Sequence, residues 1–116
     1  MIYYTVTTNT LFNKGDVIQL LNDTYSLNDS TGLILGSVIE CNQIEDTNNY
    51  SVVIYAAGGG GSKIRLSEDW NGNPTRFEFF NNGIRAISSG GDGWIIPAYP
   101  TAAVQAGNLV DAAIYK

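Results

Sequence analysis

The chain has 116 residues, a net charge of −5 and no histidine. That length suits one ordinary domain. The missing imidazole removes Ser-His-Asp and Cys-His triads and His-containing zinc sites, and the acidic balance argues against a nucleic-acid or anionic-membrane partner.

Hydrophobic residues make up 44 % and charged residues only 15 %, so a core is available and the polar surface must come from Asn, Thr, Ser and Gly. Residues 2–8 (Ile-Tyr-Tyr-Thr-Val-Thr-Thr) read as a strand, and residues 1–10 as an extended arm free to lie across a neighbour. They lack the basic start and apolar stretch of a signal peptide. Lys14-Gly15-Asp16 is a turn, followed by a strand over 17–21. Asn22-Asp23 turns the chain into a short strand over 24–27, and 28–32 is a loop. A strand over 33–40 contains Gly36, expected at a bulge or a close backbone approach.

Residues 45–49 form a polar tip. Residues 50–55 (Tyr-Ser-Val-Val-Ile-Tyr) are the strongest strand in the sequence. Their continuous apolar character points to burial on both faces, inside the fold or against another chain. Gly58-Gly59-Gly60-Gly61-Ser62 then interrupts the chain. The same five residues serve as a common flexible linker, but strand-like sequence on both sides favours a native loop. Residues 63–67 alternate as a half-exposed strand should.

Asp69-Trp70-Asn71-Gly72-Asn73-Pro74 is a dense turn signal. A hairpin follows: strand 76–80, loop Asn81-Asn82-Gly83, strand 84–87. A three-residue loop with Gly83 left-handed sets Phe80 opposite Ile84 and Phe77 opposite Ile87. That register pairs apolar side chains and is preferred over an Asn82-Gly83 turn. Residues 88–93 are a Gly-rich loop. Residues 94–96 form a short strand stopped by Pro97, residues 101–105 one helical turn, 106–108 a turn, and 109–115 the closing strand. The expected fold is all-β: a single small antiparallel β-barrel or β-sandwich over 1–116, with Gly/Asn-rich loops and little or no helix.

Sites that carry chemistry are weak. The glycine run reads Gly61-Ser62-Lys63, the wrong order for a phosphate loop, and a strand rather than a helix follows. Asp23, Asp29, Glu45, Asp46 and Asp92 lie in turns without the alternating spacing of a calcium loop. The neighbouring carboxylates Glu45-Asp46 and Glu68-Asp69 point to opposite faces in extended chain, and nothing singles out a distant pair such as Glu40 with Glu78. One cysteine, Cys41, excludes an internal disulfide and reads as a small buried residue in a chain made in a reducing compartment. No catalytic residue, metal or cofactor is therefore assigned. Tyr3, Tyr4, Val6, Val53 and Tyr55 are the candidate oligomer or partner contacts. Trp70, Trp94 and Tyr99 are either plugs of barrel ends or a surface on which a sugar stacks.

Few charges and many short strands describe proteins that work by being packed into assemblies, because low charge lowers the cost of desolvating an interface. Two stretches carry a resemblance. One is Lys14-Gly15-Asp16-Val17-Ile18 leading to Gly32-Leu33-Ile34-Leu35-Gly36-Ser37-Val38-Ile39-Glu40. The other is Ala102-Ala103-Val104-Gln105-Ala106-Gly107-Asn108-Leu109-Val110-Asp111-Ala112-Ala113-Ile114. Together they resemble the small β-barrel decoration (cement) proteins of tailed-bacteriophage heads, in which a Gly-Asp turn opens one strand and an Ala-rich segment precedes the last. Asn108 stands where an acidic residue is usual, and residues 50–94 are additional to such a barrel. The resemblance implies a non-enzymatic homotrimer on the capsid surface that clamps the major capsid protein. The acidic charge and the short apolar runs, the longest Val52 to Ala57, leave nucleic acid and membrane out of the expected partners. A second reading is a glycan- or receptor-binding tip domain of a phage fibre or adhesin.

Overall fold

The computed structural model describes residues 2–57, 61–73, 75–87, 95–97 and 103–114. Ten strands follow one another: β1 (Ile2–Thr8), β2 (Val17–Leu21), β3 (Thr24–Leu27), β4 (Leu33–Gln43), β5 (Tyr50–Ala57), β6 (Gly61–Arg65), β7 (Phe77–Phe80), β8 (Gly83–Ala86), β9 (Ile95–Pro97) and β10 (Leu109–Ile114). They form two five-stranded antiparallel sheets, ordered β1-β5-β4-β2-β3 and β6-β10-β9-β7-β8. The all-β expectation holds. The chain divides cleanly, since the N-terminal half makes one sheet and the C-terminal half the other.

Local chemistry explains the punctuation. Asn22 and Asp23 both take positive φ, 51° and 61°, the pair of left-handed residues that a two-residue hairpin turn requires. Gly36 lies beside the register shift between β2 and β4. A Cβ there would sit 2.1 Å from the Tyr55 carbonyl oxygen, so both expectations for this glycine are met at once. The helical turn expected over 101–105 is replaced, at Val104, by a backbone bridge. Val104 and Trp70 exchange N–H···O bonds of 2.9 and 2.8 Å. The glycine-rich interruption is shorter than expected: Gly61 and Ser62 already pair with Ala113 and Ala112 in β6.

The hairpin register also differs. β7 and β8 pair Phe77 with Ala86, Glu78 with Arg85, Phe79 with Ile84 and Phe80 with Gly83. The turn is therefore Asn81-Asn82, with Asn81 at φ 52°. Gly83 is a strand residue, paired with Phe80, and must be glycine because a Cβ there would lie 2.3 Å from the Arg65 carbonyl oxygen. Tertiary bonds hold this register. The Asn82 carbonyl accepts from Val17 N–H at 2.9 Å, and Asn28 Nδ2 donates to the Asn81 carbonyl at 2.7 Å. Arg85 reaches Glu78 at 2.8 Å and lies over the Phe80 ring at 3.7 Å.

Alternation divides the apolar residues between two cores. Val17 and Tyr55 face the C-terminal sheet and join Ile64, Leu66, Trp70, Phe77, Ile84, Ile95, Val110 and Ala112. Their chain neighbours Ile18 and Ile54 face the other way, with Val38, Val52 and Phe12. The C-terminal sheet curls round the first core: a bridge from Leu66 to Ile84 ties the chain after β6 to β8. The outcome is an elongated molecule, 45 × 26 × 24 Å.

A polar junction fixes the two sheets to each other. Asp16, 4 % exposed, accepts from Arg65 Nε at 3.0 Å, Asn13 N–H at 2.9 Å and Asn82 Nδ2 at 3.5 Å. Arg65 donates further to the Gly107 and Lys14 carbonyls. Ser37 and Ser62 hydroxyls meet at 2.9 Å.

Candidate interaction surface

The candidate contact residues of residues 2–8 and 50–55 come together, because β1 pairs with β5. Tyr3 stands opposite Tyr55, Tyr4 opposite Ile54, Thr5 opposite Val53 and Val6 opposite Val52. Residues 2–8 are thus not a free arm; they are the edge strand of the N-terminal sheet. β5 lies between β1 and β4, and buried Ile54 and Tyr55 point to opposite faces. Tyr55 is fully enclosed, its ring 5.8 Å from that of Tyr3. It is a core residue and offers nothing to a partner. Tyr3 is 50 % exposed, and Tyr4, Val6 and Val53 are half-buried.

The face of this sheet turned away from the first core is apolar across all five strands and forms the second core. Buried Ile18, Val38, Val52 and Ile54 are flanked by half-buried Tyr4, Val6, Tyr25, Leu35, Cys41 and Tyr50. Every member but one belongs to the sheet itself. The exception is Phe12, 3 % exposed, inserted from the segment between β1 and β2. Beside it Leu11 is 61 % exposed. The register puts Leu27 opposite Ile18 and Leu33 opposite Leu20, and both leucines remain exposed. Tyr4 donates its hydroxyl to the Leu35 carbonyl at 3.0 Å. Burial, with a smaller effect of nearby Tyr25, pushes the Tyr4 phenol up to about 12.

The remaining candidates are placed as follows. Trp70 is 3 % exposed, edge-on to Phe77 at 4.9 Å, with its Nε1–H donated to the Asn73 carbonyl. Too little of the ring is open for a sugar to stack on it. Trp94 and Tyr99 lie outside the described residues, as does Asp92. A cleft of about 360 Å³ beside Trp70 has mixed polar and apolar walls, and several of its polar atoms are engaged locally. Asp69 accepts from Ala106 N–H at 2.7 Å, Asn71 from Asn73 N–H at 2.9 Å, and Thr75 donates to the Ile87 carbonyl at 3.1 Å.

The acidic turn residues serve local structure. Asp23 and Asp46 occupy left-handed turn positions. The Asp29 carboxylate accepts from the Thr31 hydroxyl and from Thr31 N–H, and these bonds hold it below the usual range. Glu40 and Glu78 lie on different sheets, and Glu78 is paired with Arg85. Among the described residues no three His, Cys, Asp or Glu side chains come together as a metal site.

Phe12, Tyr25 and Tyr50 are members of the second core that the sequence reading left unassigned. A signal for them exists in the alternation Tyr50-Val52-Ile54 and Tyr4-Val6, but it acquires meaning only once β1 is known to pair with β5. Neither the family models nor the curated proteins nor the solved structures yielded a match to this chain.

Proposed function

We propose that the chain is a non-enzymatic structural protein of a virion, a head decoration protein that binds the major capsid protein on the capsid surface and clamps neighbouring subunits. The observation that supports this reading is the face of the N-terminal sheet turned away from the first core. Its half-buried members Tyr4, Val6, Tyr25, Leu35 and Tyr50 are uncharged and lie round the fully buried Ile18, Val38, Val52 and Ile54, and among the described residues Phe12 is the member from outside the sheet. Aromatic and aliphatic groups that are half-buried in the free domain gain most from a partner, because little polar surface must be desolvated with them. The resemblance carried by residues 14–18, 32–40 and 102–114 supplies the particular assembly. Burial of Trp70 weakens the glycan-binding alternative, leaving it to Trp94 and Tyr99.

Cosedimentation with undecorated heads, assembled from the major capsid protein of the same genome, tests the proposal. The expected result is saturable binding to assembled shells, little binding to free shell subunits, and no signal on a glycan array. Saturable glycan binding without shell binding would replace this reading with the receptor-binding one.

A further inference from the structure

Four strands lie at sheet edges: β1, β3, β6 and β8. Three of them are short, charged or covered. β3 has four residues. β8 also has four, and its outer side is taken by the bridge to Leu66 and by Ser67 N–H, which donates to the Ile84 carbonyl at 2.8 Å. β6 carries Lys63, paired with Asp111 at 3.2 Å, and its last N–H, of Arg65, donates to the Gly15 carbonyl.

β1 differs in every respect. It has seven residues and pairs with β5 alone among the described strands. It contains no charge and no proline, and its one irregularity lies at its start, between Ile2 and Tyr3. Residues 3–7 therefore present a regular row of backbone N–H and C=O groups, and Thr8 is buried. Among the described residues they have none of the devices that keep an edge from pairing with another chain.

We infer that β1 is a self-recognition edge: two copies join their β1 strands antiparallel about a two-fold axis at Thr5, making one continuous ten-stranded sheet. The register follows from the sequence. Residues directly opposite in an antiparallel pair share a face, so a two-fold axis normal to the sheet passes through a residue position. An axis at Thr5 uses the strand most fully. Tyr3 meets Thr7 of the second copy, Tyr4 meets Val6, and Thr5 meets Thr5. Every opposed pair is uncharged. Tyr4 and Val6 belong to the second cluster, so that apolar face runs unbroken across the join. The inference rests on the edge and not on the decoration reading. It also gives a different stoichiometry from the trimer that the resemblance implies.

Light scattering on size-separated protein tests it. With a chain of 12.5 kDa, the wild type is expected at twice that mass. Thr5 is exposed, so lysine or glutamate fits the folded domain, and circular dichroism checks the fold. Thr5→Lys and Thr5→Glu alone should each fall to the single-chain mass, because like charges meet on the axis. An equimolar mixture should return to twice the mass, lysine facing glutamate. A wild type at one or three chain masses, or variants that stay paired, would overturn the inference. A Thr5→Cys, Cys41→Ser protein gives a second reading should the charged variants misfold. Self-opposed positions lie about 4.5–5.5 Å apart between Cα atoms, within disulfide range. Oxidation should link it covalently into pairs, and single chains after oxidation would overturn the inference.

Discussion

At the scale of single residues, Asp16 holds the junction. Its carboxylate is nearly enclosed and answers donors from three segments, Asn13, Arg65 and Asn82. Removing it leaves the Arg65 guanidinium without its counter-ion and an amide without an acceptor. Asp16→Ala should cost about 3 kcal/mol in urea unfolding, and Lys63→Ala, in an exposed pair, under about 1 kcal/mol. Similar losses would show that the junction is not what joins the sheets. Two glycines separate backbone freedom from close approach. Gly36 and Gly107 both have positive φ. A Cβ at Gly107 meets nothing within 4 Å, whereas one at Gly36 collides with Tyr55 backbone. Gly107→Ala should cost about 1 kcal/mol of conformational strain, and Gly36→Ala several-fold more. Tyr4 sets an alkaline limit. Its folded phenol titrates near 12, against an ordinary value of 10.0. Below that ordinary value both states hold the proton. Between the two values only the unfolded chain loses it, so stability falls as pH rises through this window. Tyr4→Phe should remove that part of the alkaline loss, as followed by denaturant titration at several pH values.

At the scale of elements, strand positions were legible and pairings were not. Each strand is a β-branched or aromatic run bounded by Gly, Asn or Asp, and that punctuation is local chemistry. The hairpin β7–β8 shows where local chemistry stops. A left-handed Gly83 and apolar cross-strand pairs are the local expectation. The observed register instead satisfies Val17 N–H and Asn28 from the turn, and uses Gly83 to let Arg65 backbone approach. Those partners lie far away in sequence, so no local pattern announces them. The candidate residues show the same limit: Tyr4 and Val6 join the second apolar cluster, whereas Tyr3 and Val53 stand opposite Tyr55 and Thr5 on the other face, a division that depends on the pairing of β1 with β5. Phe12 belongs to no strand, yet among the described residues it is the one from outside the sheet buried in the second cluster. Phe12→Ala should cost about 3 kcal/mol and raise binding of a hydrophobic dye while the circular dichroism stays that of a β protein. Unchanged dye binding would mean that the face is closed by other means.

At the scale of the molecule, the two sheets have different tasks. The C-terminal sheet curls round a core of its own and has its edges covered or charged. The N-terminal sheet contributes Val17 and Tyr55 to that core, and keeps a second apolar face and a bare edge outside it. A domain this size gains stability from association, and the surface most suited to it is the β1 side of this sheet. Amide hydrogen exchange of residues 3–7, read residue by residue by NMR at low and high protein concentration, tests that most directly. In the single chain every second amide is bonded to β5 and the rest pair with no other described strand. Alternating protection is expected at low concentration and protection of every amide from residue 3 to residue 7 at high concentration. An alternating pattern that does not change with concentration would contradict it.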